Sequence, residues 1–150
     1  MTDLNNVKIT TLGKDGDGVA VYEGKKCFVN YSAVGDEIDA TIYKSNADGC
    51  YAKINKIIKS SINRQNPCCP LFTQCGGCKL QHLKNDIYND FKISLITKTL
   101  SENNITDYNL APIFTVGLAS RRRATFTARK QKGQIILGFN ATKSEAIIEI

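Results

Sequence analysis

The chain has 150 residues, of which 42% are hydrophobic and 23% charged, with three prolines and a net charge of +6. This composition excludes a disordered chain and favours one ordinary domain or two small ones. The N-terminus lacks the apolar run of a signal peptide, and no stretch approaches the roughly 20 apolar residues of a membrane span. We therefore expect a cytoplasmic protein with reduced thiols and no membrane partner.

The first sixty residues contain short β-rich stretches separated by turn signals. The predicted strands cover residues 7–12, 18–29 (a hairpin that turns at Glu23-Gly24), 36–45 and 50–58. Five short strands in this length predict a small closed barrel of the OB type over residues 1–60. Gly13, Gly16 and Gly18 precede a strand rather than a helix, which favours a turn over a nucleotide-binding fingerprint.

One long helix is predicted after a polar linker and a cysteine-rich stretch. Residues 59–67 are polar and end in proline, as a linker does. Apolar residues then recur at i+4 spacing and predict a helix over residues 83–100, which stops at Asn103-Asn104. The stripe consists of Leu83, Ile87, Phe91 and Leu95. A stripe this broad has to be buried against another element.

The last thirty residues return to a strand pattern. Residues 121–130 alternate, with Ala124, Phe126 and Ala128 on one face and Arg121, Arg123 and Arg129 on the other. A turn at 131–133 leads into 134–140, which is expected to pair back with Ile135, Leu137 and Phe139 facing inward. A further strand begins at 145–150.

Positive charge is concentrated in the same region. Residues 121–150 carry seven Lys and Arg against two Asp and Glu, whereas the rest of the chain is nearly balanced. Arginines on alternate positions of a strand lie about 6.5–7 Å apart, which suits contacts along a phosphate backbone. We predict that the RNA-binding residues are Arg121, Arg123, Arg129, Lys130 and Lys132. The alternative is a solvated strand face with scattered salt bridges.

Four cysteines and the single histidine of the chain lie within CCPLFTQCGGCKLQHL, residues 68–83. Cys69, Cys75 and Cys78 form the pattern C-x5-C-G-G-C, whose glycines allow the backbone to fold tightly around one centre. Zinc and an iron–sulfur cluster each require a fourth ligand, and spacing alone does not separate them. The candidates for the fourth ligand are Cys68, His82, Cys50 and Cys27.

Simpler interpretations exist for several of these residues. Cys27 and Cys50 lie in strand patterns, where a buried thiol behaves as a small hydrophobe. His82 is better explained as a packing or hydrogen-bonding residue beside the cysteines. Cys68 adjoins Cys69, and neighbouring side chains usually diverge.

The motifs together resemble a known family. CPLFTQCGGCKLQHL, then SRRRATFTARK and LGFNATKSEAIIEI, are similar to stretches of the bacterial RNA uracil-5-methyltransferases, in the same order. The front of the chain, from LGKDGDGVAVYEG to VGDEIDATI, resembles the TRAM domain that many of these enzymes carry. A radical enzyme with a TRAM domain is excluded, because its C-x3-C-x2-C spacing differs from the spacing here.

The resemblance implies a 4Fe-4S cluster bound by Cys69, Cys75 and Cys78, with a fourth cysteine a few residues beyond Ile150. It also implies RNA as the substrate, ribosomal rather than tRNA, and S-adenosylmethionine as the methyl donor. In the family a cysteine thiolate adds to C6 of uracil and a carboxylate removes the C5 proton. Those motifs belong to a C-terminal methyltransferase domain that this sequence lacks, so no catalytic residue is expected here.

We therefore expect an α+β chain, mainly β with one long helix. Residues 1–60 form a TRAM barrel that binds RNA, and residues 61–150 form an iron–sulfur segment, the helix and an incomplete central β domain. Such a chain would be the inactive front part of an RNA methyltransferase, with an apolar helix face that lacks its partner domain and promotes self-association. The alternative is a stand-alone RNA-binding or metal-binding module without catalysis.

Overall fold

The computed structural model describes residues 2–149, which form nine strands and one helix. The elements are β1 (Thr2–Lys8), β2 (Thr11–Leu12), β3 (Gly18–Tyr22), β4 (Lys25–Val29), β5 (Glu37–Asn46), β6 (Gly49–Lys59), α1 (Asn85–Glu102), β7 (Thr127–Gln131), β8 (Gln134–Asn140) and β9 (Ile147–Glu149). The prediction of a mainly β chain with one helix, an α+β fold, is confirmed.

The first six strands form one sheet in the order β1-β5-β6-β4-β3-β2. β4 and β6 are parallel, and the other neighbours are antiparallel. Only Ile9 and Thr10 separate the two edge strands, and both bond to the sheet: Ile9 N–H donates to Asp36 C=O and Thr10 N–H to Val19 C=O, each at 2.9 Å. One extended segment therefore joins both edges, so the sheet curls back on itself, and we call this curled sheet of β1 to β6 the barrel.

The core of this curled sheet consists of small and branched side chains, which a narrow interior can accommodate. Its buried members are Leu4, Ile9, Ala20, Cys27, Val29, Ile38, Ala40, Cys50 and Ala52. They come from every strand of the sheet except the short β2. Alternate residues of β4 are buried, as expected for strands with one face toward a core.

Two turn predictions hold in the structure. The β3–β4 hairpin turns at Glu23 and Gly24, whose φ angles of 49° and 73° are those of a two-residue hairpin turn with both central residues left-handed. Helix α1 ends at Glu102 with Asn103 as its C-cap, and Asn104 has a φ of 57°, so the left-handed backbone that stops the helix falls on the predicted pair.

The basic strand is shorter than predicted, because β7 begins only at Thr127. Arg121 and Arg123 precede it and lie on no strand, so the prediction that they share a strand face with Arg129 is wrong. The end of β8, where residues 121–125 would pair, is already occupied. The Gly76 N–H donates to the Asn140 C=O at 2.8 Å on this edge, and β9 pairs along the other.

The predicted apolar faces are only partly buried. Leu83, which lies just before the helix, and Phe91 on the helix are buried, and Ile87 and Leu95 are half-buried, which corrects the expectation that the stripe is exposed. On β8, by contrast, Ile135 and Leu137 are 76% and 53% exposed, so the prediction that they face inward is wrong. Phe139, the third predicted residue of that face, is half-buried and packs against Phe126, with ring centroids 5.0 Å apart. No helix within residues 2–149 is long and apolar enough to cross a membrane.

Candidate cysteine loop and nucleic-acid surfaces

Residues 68–78, the cysteine loop, form a series of tight turns between the barrel and the helix. Phe72 N–H donates to Cys69 C=O at 3.1 Å, and Cys75 N–H donates to Leu71 C=O at 3.0 Å. Cys69 and Cys75 are half-buried, whereas Cys68 and Cys78 are exposed. The thiols therefore lie at the surface of the molecule, where a ligand can reach them.

The cysteine loop is attached to β8 by main-chain bonds. Cys75 forms an antiparallel bridge with Ala141, next to the bond between Gly76 and Asn140. A Cβ atom at Gly76 would lie only 3.0 Å from the Asn140 carbonyl oxygen, which explains a glycine at the first position after Cys75. The C-terminal sheet therefore helps to set the shape of the loop.

Part of the chemistry of a cluster site is present in the loop. Gly77 N–H donates to Cys75 Sγ at 3.3 Å, and N–H donation to sulfur is one of the interactions that tune iron–sulfur clusters. Within residues 2–149, however, no three His, Cys, Asp or Glu side chains are arranged to hold a metal ion. Cys69, Cys75 and Cys78 thus share one loop, but they are not gathered around one point.

Cys27 and Cys50 are core residues, as the simpler interpretation predicts. They face each other across the parallel pair β4 and β6, and they are 0% and 5% exposed. Burial, together with a hydrogen bond to Cys50, raises the pKa of Cys27 to about 12. A thiol that stays protonated is a poor metal ligand, so the burial of Cys27 favours its interpretation as a small core residue.

His82 is buried between the barrel and the cysteine loop. Its Nε2–H donates to the Ser32 carbonyl at 3.1 Å, since a carbonyl can only accept. Its ring lies 5.7 Å from that of Phe72 and 6.5 Å from that of Tyr31. Its Nδ1 atom is buried without a partner among the described residues. The packing interpretation of His82 is therefore confirmed.

The stability of the protein should fall as the pH drops below about 6.5 because of His82. Burial, the largest influence, lowers the pKa of His82 from 6.5; Arg64 acts in the same direction, while the bond to Ser32 and the charge of Asp36 oppose it. The unfolded chain therefore binds more protons between the two pKa values. We expect chemical denaturation to give a smaller free energy of unfolding at pH 5.5 than at pH 7.5.

Because His82 is the only histidine, the His82→Gln variant is the control for this prediction. Its stability should change much less between these two pH values, whatever the substitution itself costs. An equal pH dependence in both proteins would contradict the assignment to His82.

A buried ion pair joins the linker to the barrel. Arg64 Nε donates to both carboxylate oxygens of Asp36, at 2.8 and 3.0 Å, and Arg64 Nη2 donates to the Tyr31 carbonyl. Asp36 also accepts from the main-chain N–H groups of Ala33 at 2.7 Å and Ser61 at 2.9 Å. This network fixes the start of the cysteine segment against the barrel.

The predicted RNA-binding cations are all exposed, although they lie on different elements. Arg121 and Arg123 are in the irregular segment before β7, whereas Arg129, Lys130 and Lys132 are in or next to the β7–β8 hairpin. Arg129 approaches Glu145 at 3.9 Å, a surface contact of little energetic value. The cations are therefore available to an anionic partner.

A second group of cations and aromatic rings lies on the barrel, and sequence reasoning missed it. Phe28 and Tyr51 stack with centroids 5.4 Å apart, and Lys44 lies 5.9 Å from the Tyr51 ring. Lys143 Nζ donates to the Tyr43 hydroxyl at 2.6 Å and lies 5.1 Å from the centre of that ring. The adjacent Tyr43 and Lys44 in a β-strand were the available signal.

Relatives of the chain are RNA methyltransferases. An RNA methyltransferase from Brucella melitensis is 34% identical over 144 residues, which are 96% of this chain and 33% of that protein. A 23S rRNA (uracil(1939)-C(5))-methyltransferase from Pseudomonas savastanoi is 32% identical over 146 residues, 95% of this chain and 32% of that protein. The resemblance to the RNA uracil-5-methyltransferases is confirmed. The chain spans about a third of the length of these members of the family.

The chain was also compared with solved structures and with models of protein families. A crystal structure of the Pyrococcus abyssi tRNA (uracil-54, C5)-methyltransferase with S-adenosyl-L-homocysteine matches 63% of this chain and 21% of that chain, at 30% identity and a TM-score of 0.48. No family model matches the sequence. The relationship to the uracil-5-methyltransferases therefore rests on the sequence relatives.

Proposed function

We propose that this chain is the RNA-binding and cluster-binding part of an S-adenosylmethionine-dependent RNA uracil-C5 methyltransferase, with 23S rRNA as its substrate. The observation that carries the proposal is the 30–34% identity to RNA methyltransferases over at least 95% of the chain. The proposal assigns none of these residues to methyl transfer. It places S-adenosylmethionine in the full-length enzyme, outside these 150 residues.

Residues 1–60 are proposed to be a TRAM barrel of the OB type that binds RNA. The strand order supports this proposal, because an OB barrel closes its first strand onto both the second and the fourth. Here β1 and β2 together correspond to the first OB strand. β2 pairs with β3, the second strand, and β1 pairs with β5, the fourth. Residues 61–150 would then be the iron–sulfur segment, the helix and part of a central β domain.

RNA binding is tested by replacing Arg121, Arg123 and Arg129 together with Ala. Each phosphate contact on a single strand contributes about 0.7 to the slope of log affinity against log salt. We expect weaker binding of a labelled ribosomal RNA fragment and a slope that is smaller by about 2. Fluorescence anisotropy over a salt titration measures both quantities.

The matched control removes the same charge from helix α1 and its N-cap residue, as Lys84→Ala, Lys92→Ala and Lys98→Ala. This variant should bind with nearly the slope of the parent protein. Equal losses in the two triple variants would mean that only the net charge matters, and the assignment of the arginines would be wrong.

We further propose Cys69, Cys75 and Cys78 as three ligands of a 4Fe-4S cluster. Their spacing, their common loop and the Gly77 N–H on Cys75 support this assignment. The three thiols would have to converge from their present positions when iron binds.

Anaerobic reconstitution with iron and sulfide, followed by iron analysis and visible absorbance, tests the cluster. Serine at position 69, 75 or 78 should lower the iron content and the absorbance, whereas Cys68→Ser should leave both unchanged. A colourless protein that retains zinc instead would contradict the assignment.

A further inference from the structure

A deep cleft lies between the barrel, the cysteine loop and the turn that follows β8. Its volume is about 910 Å³, which is within the range of small-ligand sites. The barrel contributes Tyr43 and Lys53, the cysteine loop contributes Phe72, and the turn contributes Lys143. We call this space the barrel cleft.

The charge of the barrel cleft is positive. Lys53, Arg64 and Lys143 are among its lining residues, and no Asp or Glu is found among the described residues that line it. The charge of Arg64 is offset by its ion pair with Asp36, which is not among the lining residues. Lys53 and Lys143 are then the cations that can attract a ligand. Both lysines are exposed. A ligand of this cleft therefore has to be anionic.

The remaining wall is aromatic and apolar. Tyr43 is 45% exposed, and Lys143 fixes its hydroxyl at 2.6 Å. Tyr31 and Phe72 meet edge to face with centroids 5.1 Å apart, and Tyr31 bonds to Thr142 at 2.8 Å. A flat ring can stack on such rigid side chains with little loss of entropy. A nucleotide combines such a flat ring with an anionic phosphate.

The same wall contains two acceptors that lack donors. Asn30 Oδ1 and His82 Nδ1 are buried without a partner among the described residues, and both side chains line the cleft. Because burial lowers the pKa of His82 and its Nε2 carries the proton, Nδ1 is an acceptor. The N–H groups on the edge of a nucleobase are donors that match this wall.

We propose that the barrel cleft binds a single unstacked nucleotide of the RNA, with its base against Tyr43 and its phosphate near Lys53 and Lys143. This proposal rests on the proposed RNA-binding function and adds a site separate from the arginines before and in β7.

The test uses the 150-residue chain and a fluorescein-labelled, single-stranded RNA decamer of mixed sequence. Stacking of one base on an aromatic side chain is lost in Tyr43→Ala, and we expect the affinity to fall about tenfold. Lys143→Gln should weaken binding and reduce the salt slope by about 0.7. Thermal melts should be nearly unchanged, because both side chains are exposed.

Matched controls come from the same chain. Tyr108 is 44% exposed, close to the 45% of Tyr43, and it does not line the cleft. Tyr108→Ala and Lys98→Gln should bind the decamer as the parent protein does. A decamer that contains 4-thiouridine should crosslink to peptides that include Tyr43 or Phe72.

Three results would overturn the proposal. Parent-like binding by Tyr43→Ala and Lys143→Gln, while the arginine triple variant still loses affinity, would remove the cleft and leave the proposed function intact. Crosslinks of the 4-thiouridine decamer only to peptides that lack both Tyr43 and Phe72 would place the bound nucleotide outside the cleft. A parent protein that does not bind RNA would refute both the cleft site and the proposed function.

Discussion

Replacing Asp36 with Ala should lower the free energy of unfolding by about 3–5 kcal/mol, because it leaves a buried charge without its partner. The Asp36 side chain is fully buried, and that of Arg64 is only 15% exposed. The substitution removes the acceptor for Arg64 and for the main-chain N–H groups of Ala33 and Ser61. Urea denaturation of the parent and variant proteins measures the difference.

The adjacent Glu37 provides the control. It pairs with Lys59 at 3.6 Å, but the lysine side chain is 73% exposed and the glutamate side chain 30% exposed. Surface pairs of this kind contribute about 0–1 kcal/mol, so Glu37→Ala should have a small effect. If both variants lost the same stability, the buried network around Asp36 would not be what attaches the cysteine segment to the barrel.

Replacing Gly49 with Ala should cost about 3 kcal/mol, the second large effect that we expect. Gly49 opens β6 with a φ of 146°, a conformation that side chains rarely adopt. A Cβ atom there would overlap the carbonyl oxygen of Lys26 on β4, where the main chain cannot move without disturbing the parallel pair. Thermal and chemical denaturation measure the loss.

Two other glycines separate the causes of this effect. Gly24 has a φ of 73° but open space around it. Gly24→Ala should therefore lower the free energy of unfolding by only about 1–2 kcal/mol, which is the strain of the left-handed backbone without a clash. Gly117 has open space and no such φ, and Gly117→Ala should be nearly neutral. A loss at Gly49 no larger than at Gly24 would contradict the predicted clash.

Local signals in the sequence predicted the local structure well. The Glu23-Gly24 turn, the helix stop at Asn103-Asn104 and the core positions of Cys27 and Cys50 depend on a few neighbouring residues. The cysteine motif, one of the stretches on which the family resemblance rests, is similarly compact, from Cys69 to His82. Such short-range patterns can be interpreted without knowing which distant residues contact them.

The errors arose where distant segments compete for the same partner. Alternation predicted a strand from Arg121, but the cysteine loop pairs with the end of β8 and leaves residues 121–125 without a neighbour. The barrel cleft was missed for the same reason, since Tyr43 and Lys143 are 100 residues apart. A contact between residues so far apart cannot be predicted from any single stretch of the sequence.

The attachment of the cysteine loop to β8 also has a consequence for the order of folding. The loop can meet Asn140 and Ala141 only after the intervening helix and the last strands have been synthesised, and the hydrogen-bond partner of Tyr31, Thr142, lies 111 positions later in the chain. Contacts so distant in sequence form late, because closing a long loop is entropically costly. During synthesis, the barrel would therefore be complete while the cysteine loop was still unattached to β8.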